Sequence, residues 1–210
     1  LALANWTPTN EHIGNHTINF TVTDGELEDS QVIIITVINT NDPPVLDSIG
    51  NLTADEDARF IYDVNASDID PGYNLTFYDN STLFNISSST GIINFTPSQS
   101  EIGAYDINIT VEDNFNASDS EIITLTISNT NDAPTLNPIA NDSVLEDSTL
   151  TFNITASDLD LAYGDNLTYR SNLSNVINIE RTNNTHALVN WTPTNDYVGN
   201  NTINFTVTDS

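Results

Sequence analysis

Pairs of acidic residues recur at fixed places along this chain and are its clearest candidates for chemistry. Asp68 and Asp70 stand two residues apart, and the same spacing returns at Asp158 and Asp160. Paired carboxylates can serve acid–base hydrolysis, or they can bind a divalent cation. Because the pair is repeated and nothing around it marks a pocket, a structural or cation-binding role is the better prediction.

Other patterns typical of catalysis are missing from the sequence. It contains no glycine-rich phosphate loop, no zinc-ligand spacing and no nucleophile elbow. His12, His16 and His186 stand where the matching repeat has a different residue or no clear equivalent. A catalytic group would not be so replaceable between near-identical units. We therefore expect that this protein is not an enzyme.

The composition is strongly acidic. Asp and Glu number 30 against 3 Lys and Arg in 210 residues, so the formal net charge is −27. Such a surface repels nucleic acid and anionic lipid, and its self-repulsion calls for salt or bound cations. The absence of cysteine excludes disulfides and thiolate metal sites. The longest apolar run, Val32 to Ile35, is too short to span a bilayer.

Two sequence blocks return at a shift of about 90 residues. Asn39 to Leu46 matches Asn129 to Leu136, and Ala66 to Asp70 matches Ala156 to Asp160. Repetition at this period predicts one small domain per unit. We expect residues 1–43 to be the C-terminal part of a β-sandwich, 44–133 a complete β-sandwich, and 134–210 a β-sandwich that lacks its last strand.

A closer match joins the two ends of the chain. Residues 5–24 reappear as residues 190–209, with only Glu11, His12, Ile13 and His16 exchanged. This match predicts two alternating domain types in a longer repeat protein, from which the chain is a segment without a signal peptide or anchor. The alternative is strand exchange between molecules. Excision is favoured, because the opening fragment supplies about three strands where only one is lacking.

Apolar and polar residues alternate with a period of two in many segments. Ile18, Phe20 and Val22 alternate with polar residues, and the pattern returns at 107–111 and 203–207. Further strands are predicted at 31–38, 60–65, 75–78, 92–96, 122–128 and 149–155. About seven short strands in about 90 residues predict an all-β fold of tandem immunoglobulin-like antiparallel sandwiches joined end to end.

Acidic residues also recur in the segments that should form the ends of each sandwich. They lie before the second strand, after it, at the end of a later strand and in the Asn-Asp linkers 41–42 and 131–132. Calcium needs six to eight oxygen ligands at roughly 2.3–2.6 Å, which converging segments at a domain joint can supply. The alternative is that these residues only form turns and solvated ends.

These residues resemble cadherin-like repeats, and more closely the dystroglycan-type and Ig-like repeats of large extracellular surface and adhesin proteins. The resemblance covers the whole chain and implies calcium ligands at two joints. The first joint would use Glu11, Asn39, Asn41, Asp42, Asp68, Asp70 and Asp113. The second would use Glu56, Glu101, Asn129, Asn131, Asp132, Asp158, Asp160 and Asp209. Two linker positions depart from the cadherin pattern, since Asn39 or Asn129 replaces an Asp and Pro43 or Ala133 replaces an Asn. Each joint should therefore hold fewer ions than a cadherin joint.

Asn-X-Ser/Thr triplets occur 19 times, whereas 31 Asn and 46 Ser or Thr placed at random in 210 residues would give about seven. Strand alternation alone can produce some of them, such as Asn19, Asn108, Asn153 and Asn204. It cannot produce the loop triplets, so we expect covalent N-glycans and a glycosylating secretory pathway, as in archaea and eukaryotes. The candidate sites are Asn5, Asn15, Asn19, Asn51, Asn65, Asn74, Asn80, Asn85, Asn94, Asn108, Asn116, Asn141, Asn153, Asn166, Asn172, Asn183, Asn190, Asn200 and Asn204.

These observations predict a structural repeat segment of an extracellular glycosylated filament, stalk or adhesin, stiffened by calcium at its joints. Its partners would be neighbouring repeats and chains of the same fibre. One alternative is a carbohydrate- or receptor-binding adhesion module, in which Tyr73, Tyr78, Tyr163 or Tyr169 would stack on a sugar. A second is an acidic spacer of a secreted halophilic protein without specific calcium.

Overall fold

The chain divides into two compact units, Leu1–Ile127 and Ser128–Ser210. Their structure comes from a computed structural model that describes residues 3–210. Strands and short turns make up almost all of the regular structure, together with a few single-turn 3-10 helices. Within residues 3–210, no helix is long and apolar enough to cross a membrane.

The first unit opens with a long antiparallel hairpin, which we call the hairpin segment. Strand β1 (Gly14–Thr23) pairs with β2 (Glu28–Val37). The turn between them is closed by Asp24, whose Oδ1 accepts the backbone N–H groups of Glu26 and Leu27 at 3.0 and 2.8 Å. These hydrogen bonds hold the pKa of Asp24 below its usual value.

The rest of the first unit, which we call the complete repeat, contains eight strands. They are β3 (Val45–Leu46), β4 (Leu52–Asp55), β5 (Phe60–Asp63), β6 (Ala66–Ser67), β7 (Thr76–Asp79), β8 (Ile92–Phe95), β9 (Gly103–Glu112) and β10 (Ser118–Ser128). One sheet has the order β4-β10-β9-β7, while β3 pairs with β6 and β5 pairs with β8. The predicted all-β sandwich fold is thereby confirmed.

The core of the complete repeat follows from the period-two alternation. Ile107, Ile109 and Val111 of β9 are no more than 2% exposed, as are Ile123 and Leu125 of β10. Their polar neighbours in sequence lie on the other face of the sheet. Burying each such side chain stabilises the fold by about 1.5–3 kcal/mol.

The second unit contains six strands. They are β11 (Thr135–Leu136), β12 (Leu150–Ser157), β13 (Thr168–Ser171), β14 (Ile177–Arg181), β15 (His186–Trp191) and β16 (Phe205–Thr208). One sheet has the order β11-β12-β15-β14, and β13 pairs with β16. Leu167, Ala187 and Val189 form its fully buried core. By sequence, β16 is the counterpart of β9 and β1.

The two units differ beside that shared strand. In the complete repeat, β9 is covered on one side by β10. Among residues 128–210, no strand pairs with β16 on the side away from β13. Accordingly Ile203, Phe205 and Val207 are half-buried, whereas their counterparts in β9 are fully buried. The domain boundaries at residues 43 and 133 stay a prediction from the sequence.

Candidate metal centres

The linker at residues 39–42 contacts three separate segments of the first unit. Asn41 Nδ2 donates to Asp113 Oδ2 at 2.8 Å, and the Asp42 backbone N–H donates to Asp70 Oδ2 at 2.7 Å. Asp42 Oδ2 in turn accepts Asn10 Nδ2 at 2.8 Å. Prolines 43 and 44 follow at once, and their restricted φ angles favour an extended linker. The linker therefore brings together the 3-10 turn before β1 (Asn10–His12), the loop after β6 and the end of β9.

The acidic pair is organised by a local turn. The Asp70 backbone N–H donates to Asp68 Oδ1 at 2.9 Å, an arrangement that Asp adopts readily in turns. Asp70 is 5% exposed and Asp113 is 4% exposed. Within residues 3–210, Asp68 Oδ2, Asp70 Oδ1 and Asn39 Oδ1 are buried and accept no hydrogen bond.

The second unit repeats three of these hydrogen bonds. Asn131 Nδ2 donates to Asp209 Oδ2 at 3.1 Å, and the Asp132 backbone N–H donates to Asp160 Oδ2 at 2.5 Å. The Asp160 N–H donates to Asp158 Oδ1 at 2.8 Å. Asp160 is fully buried. Turn formation alone explains the last bond, but it does not explain why the linker and strand-end contacts recur as well.

We call the first cluster the first centre and its repeat in the second unit the second centre; their members are Asn41, Asp42, Asp68, Asp70 and Asp113, and Asn131, Asp132, Asp158, Asp160 and Asp209. The side chains of both centres offer only carboxylate and amide oxygens. Hard cations such as calcium and magnesium prefer these donors, whereas transition metals favour nitrogen or sulfur. Buried oxygens with no hydrogen bond are costly unless they are paired or coordinate a metal. Asp68 Oδ2, Asp70 Oδ1 and Asp158 Oδ2 meet that description within the described residues. The residues present therefore fit calcium.

Asp113 belongs to the first centre and also accepts hydrogen bonds from the turn that follows β9. Burial alone would raise its pKa, but hydrogen bonds from Asn41 and from the backbone N–H groups of Ala117, Phe115 and Asn116 together hold the pKa of Asp113 below its usual value. The carboxylate thus stays ionised while it fixes both the linker and the β9–β10 turn.

Four further predicted ligands take no part in the hydrogen bonds described above for the two centres. Glu11 and Asn129 are exposed, and Glu56 is 1% exposed. Glu101 Oε2 accepts the backbone N–H and the hydroxyl of Ser98 at 2.7 and 2.9 Å, so that oxygen closes its own turn. Glu56 and Glu101 belong to the first unit and the other six members of their set to the second. Their joint use stays a prediction.

Two residues at the centres were missed by the sequence analysis. Asn10 donates a hydrogen bond to Asp42 of the linker, whereas the prediction from the sequence included only its acidic neighbour, Glu11. Asp165 offers a carboxylate oxygen within 4.8 Å of those of Asp158 and Asp160. Burial and the charges of Asp158, Asp160 and Asp209 raise the pKa of Asp165 above its usual value. The signal for Asp165 was a two-residue difference in loop length between the repeats.

Most candidate glycosylation sites are accessible. Of the 19 Asn residues, all are exposed except Asn108 and Asn190, which are half-buried. The tyrosines considered for sugar stacking divide, since Tyr169 is 8% exposed while Tyr73, Tyr78 and Tyr163 are 47, 47 and 50% exposed. Neither observation identifies a bound sugar.

The fold and the repeated centres together define a class. The chain consists of β-sandwich domains of the immunoglobulin-like and cadherin-like fold in tandem. Residues 43–128 match the family described as "Putative Ig domain", and residues 131–210 match the family described as "Bacterial Ig domain". Domains of these kinds are typically extracellular and non-enzymatic.

Solved structures of cadherin ectodomains are similar to this chain. PcdhgB3 EC1-4 gives a TM-score of 0.63 at 21% identity over 96% of this chain and 55% of that one. Protocadherin Gamma B7 extracellular cadherin domains 1-4 give 0.58 at 20% identity, over 97% and 55%. Mouse Cadherin-23 EC22-24 gives 0.54 at 19% identity, over 98% and 72%.

At these identities the likeness concerns the fold alone. This chain spans about half the length of the protocadherin structures that it matches. No curated protein sequence matches it.

Proposed function

We propose that this protein is a structural repeat segment of an extracellular, glycosylated filament, stalk or adhesin, stiffened by calcium at the joints between its repeats. Its role is mechanical and not enzymatic. The observation that carries the proposal is the linker–loop–strand-end arrangement of Asn41, Asp42, Asp70 and Asp113, which recurs with the same hydrogen bonds in the second unit.

The stiffening would come from residues that already hold the linker. Asp42 bonds Asn10 of the preceding segment on one side and Asp70 of the complete repeat on the other. Without a cation, the carboxylates of Asp42, Asp68 and Asp70 repel one another and weaken these contacts. Calcium supplies two positive charges and needs six to eight oxygens. The same side chains then favour one linker geometry instead of several.

The sequons support the extracellular part of the proposal. N-glycans attach to accessible Asn side chains in secreted proteins, and 17 of the 19 candidates are exposed. Dense glycans would also protect edge strands from pairing with other chains. The net charge of −27 agrees with a surface that remains soluble and separate from its neighbours.

Calcium titration of the chain by isothermal calorimetry tests the proposal. Asp70→Asn keeps the size of the side chain and an acceptor for the Asp42 N–H, but it removes the charge beside the buried Oδ1. We expect the parent to bind calcium and Asp70→Asn to lose at least one site or about tenfold in affinity. Asp106→Asn is the control, because Asp106 is exposed on β9. Equal binding by all three, or none by any, would overturn the proposal.

A second candidate function is adhesion to carbohydrate. Tyr73 and Tyr163 occupy matching places after the acidic pairs, and both are about half exposed. Such rings can stack on a sugar face. Screening the chain against a glycan array, with Tyr73→Ala and Tyr163→Ala for comparison, tests this function. Binding that either substitution abolishes would support it.

A further inference from the structure

The loop that follows the acidic pair is longer in the second unit than in the complete repeat. Seven residues separate Asp160 from Thr168, whereas five separate Asp70 from Thr76. The shorter loop contains no carboxylate between Asp70 and Thr76, but the longer loop contains Asp165. The two centres are therefore not chemically equivalent, although the hydrogen bonds of their linkers and acidic pairs match.

The fold of the longer loop carries Asp165 back to the acidic pair. A single 3-10 turn at Asp160–Ala162 reverses the chain, and the Asp165 N–H donates to the Asp160 carbonyl at 3.4 Å. Asn184 Nδ2 donates to the Asp165 carbonyl at 3.4 Å and ties the loop to the turn before β15. One carboxylate oxygen from each of Asp158, Asp160 and Asp165 lies within 4.8 Å of the other two.

Burial distinguishes this cluster from a solvated group of acids. Asp158 Oδ2 and Asp165 Oδ2 are both buried, and neither accepts a hydrogen bond from any of residues 3–210. Asp160, the third member of the cluster, is 0% exposed. Buried carboxylate oxygens left in this condition are unfavourable, and coordination of a metal is one of the few arrangements that offset the cost. Despite this cost, hydrogen bonds from the Asp160 and Asp165 N–H groups and from Asn184 Nδ2 hold the loop in place.

We propose that Asp165 is an additional calcium ligand, which gives the centre of the second unit one carboxylate more than the centre of the first unit. This inference rests on the proposed calcium function. Calcium affinity rises with the number of charged ligands and with the rigidity of the site. The site of the second unit therefore fills at a lower calcium concentration than the site of the complete repeat. The joints of the repeat protein then stiffen one after another as the calcium concentration rises.

A fluorescent reporter for the second unit makes the inference testable in the full chain. The protein has two tryptophans, and Trp191 is 7% exposed in the core of the second unit. In a Trp6→Phe background, Trp191 emission follows the unfolding of that unit alone. We expect Asp165→Asn to raise the calcium concentration for half of the thermal shift by about tenfold or more. Glu180→Gln, on the exposed face of β14, is the control with the same change of charge.

The chelated state separates a ligand from a merely structural residue. Asp165→Asn removes one member of a like-charged cluster, so its melting temperature without calcium should equal or exceed that of the parent. A lower melting temperature in chelator with an unchanged calcium midpoint would overturn the inference. If Asp165→Asn leaves the midpoint unchanged while Asp70→Asn still weakens calcium binding, the inference fails and the proposed function stands. If calcium shifts no variant, both fail.

Discussion

Backbone N–H groups donate to carboxylates in the first half of strand β10 of the complete repeat. Asp119 Oδ2 accepts the Leu46 N–H at 2.9 Å, and Glu121 accepts the N–H groups of Ile49 and Gly50, each at 2.9 Å. These bonds hold the segment between β3 and β4 against β10. The acidic composition thus includes carboxylates with structural bonds of their own as well as those at the proposed metal centres.

Glu121 predicts a specific dependence of stability on pH. The backbone hydrogen bonds from Ile49 and Gly50 hold the pKa of Glu121 below its usual value. A group with a depressed pKa stabilises the fold above its unfolded pKa, and that contribution is lost as pH falls through the folded pKa. Glu121→Gln should therefore lower the free energy of unfolding by about 1 kcal/mol at pH 7, after allowance for partial exposure, and by much less near pH 3.

Urea unfolding at the two pH values measures this difference. Asp106→Asn provides the comparison, since Asp106 is exposed and accepts the Thr124 hydroxyl at 2.9 Å. A deficit of equal size at both pH values would show that the Glu121 charge is not the source of the effect.

At the scale of elements, the ends of two strands position the first centre. Strand β9 ends at Glu112, which places Asp113 at the edge of the sandwich, and β6 ends at Ser67, which places Asp68 and Asp70 beside it. The turn before β8 needs a glycine. Gly91 has φ of +71°, and a Cβ there would lie 2.3 Å from the Val64 carbonyl oxygen.

Gly91→Ala should destabilise the complete repeat by at least about 2 kcal/mol, because it adds a backbone clash to an unfavourable φ. Gly72→Ala is the matched control. Gly72 also has a positive φ, +76°, but no atom lies within 4 Å of the added Cβ, so its cost should be only about 1 kcal/mol. Chemical denaturation compares the two variants. Equal costs would mean that the Val64 carbonyl moves away without penalty.

Glycan occupancy should follow the elements as well. Asn116 is exposed in the β9–β10 turn, whereas Asn108 is half-buried in β9 and its Nδ2 donates to the Thr110 hydroxyl at 3.3 Å. We expect Asn116 to be glycosylated and Asn108 to be largely unmodified when a glycosylating host secretes the chain. Glycopeptide mass spectrometry reads both sites in one sample. Full occupancy of Asn108 would contradict the expected dependence on accessibility.

Much of the fold could be predicted because alternation in β1, β2, β9 and β10 is regular over many residues. The strands β13, β14 and β15 were not predicted, since their apolar patterns are short: β13 has only Tyr169, β14 has Ile177 and Ile179, and β15 has the run 187–189 and Trp191. Packing against the core, not local pattern, makes those segments extended. The short strands β3 and β11 are two residues each and leave no periodic signal.

The candidate site was predictable to the extent that its residues repeat in sequence. The linker and the acidic pairs stand out for that reason, and the structure shows how hydrogen bonds join them. Asp165 was not predictable in the same way, because it has no counterpart in the complete repeat. Its place beside Asp158 follows from how the loop folds back, which depends on contacts with the turn before β15.

At the scale of the whole molecule, we expect the stability of the protein to depend on a specific divalent cation as well as on ionic strength. With a net charge of −27, any salt should stabilise it by screening. Calcium should act through a few sites made of buried carboxylates, so that its effect saturates and exceeds that of sodium at the same ionic strength.

Thermal unfolding in excess calcium and in excess chelator, with ionic strength matched by sodium chloride, tests this claim most directly. Ligand binding at a hundred times its Kd stabilises a native protein by about 2.7 kcal/mol per site, which corresponds to a rise of several degrees in melting temperature for domains of this size. We expect a saturating, calcium-specific rise of that order, and we expect Asp70→Asn to reduce it. Equal melting temperatures in calcium and in sodium-matched chelator would contradict it and leave an acidic, glycosylated spacer.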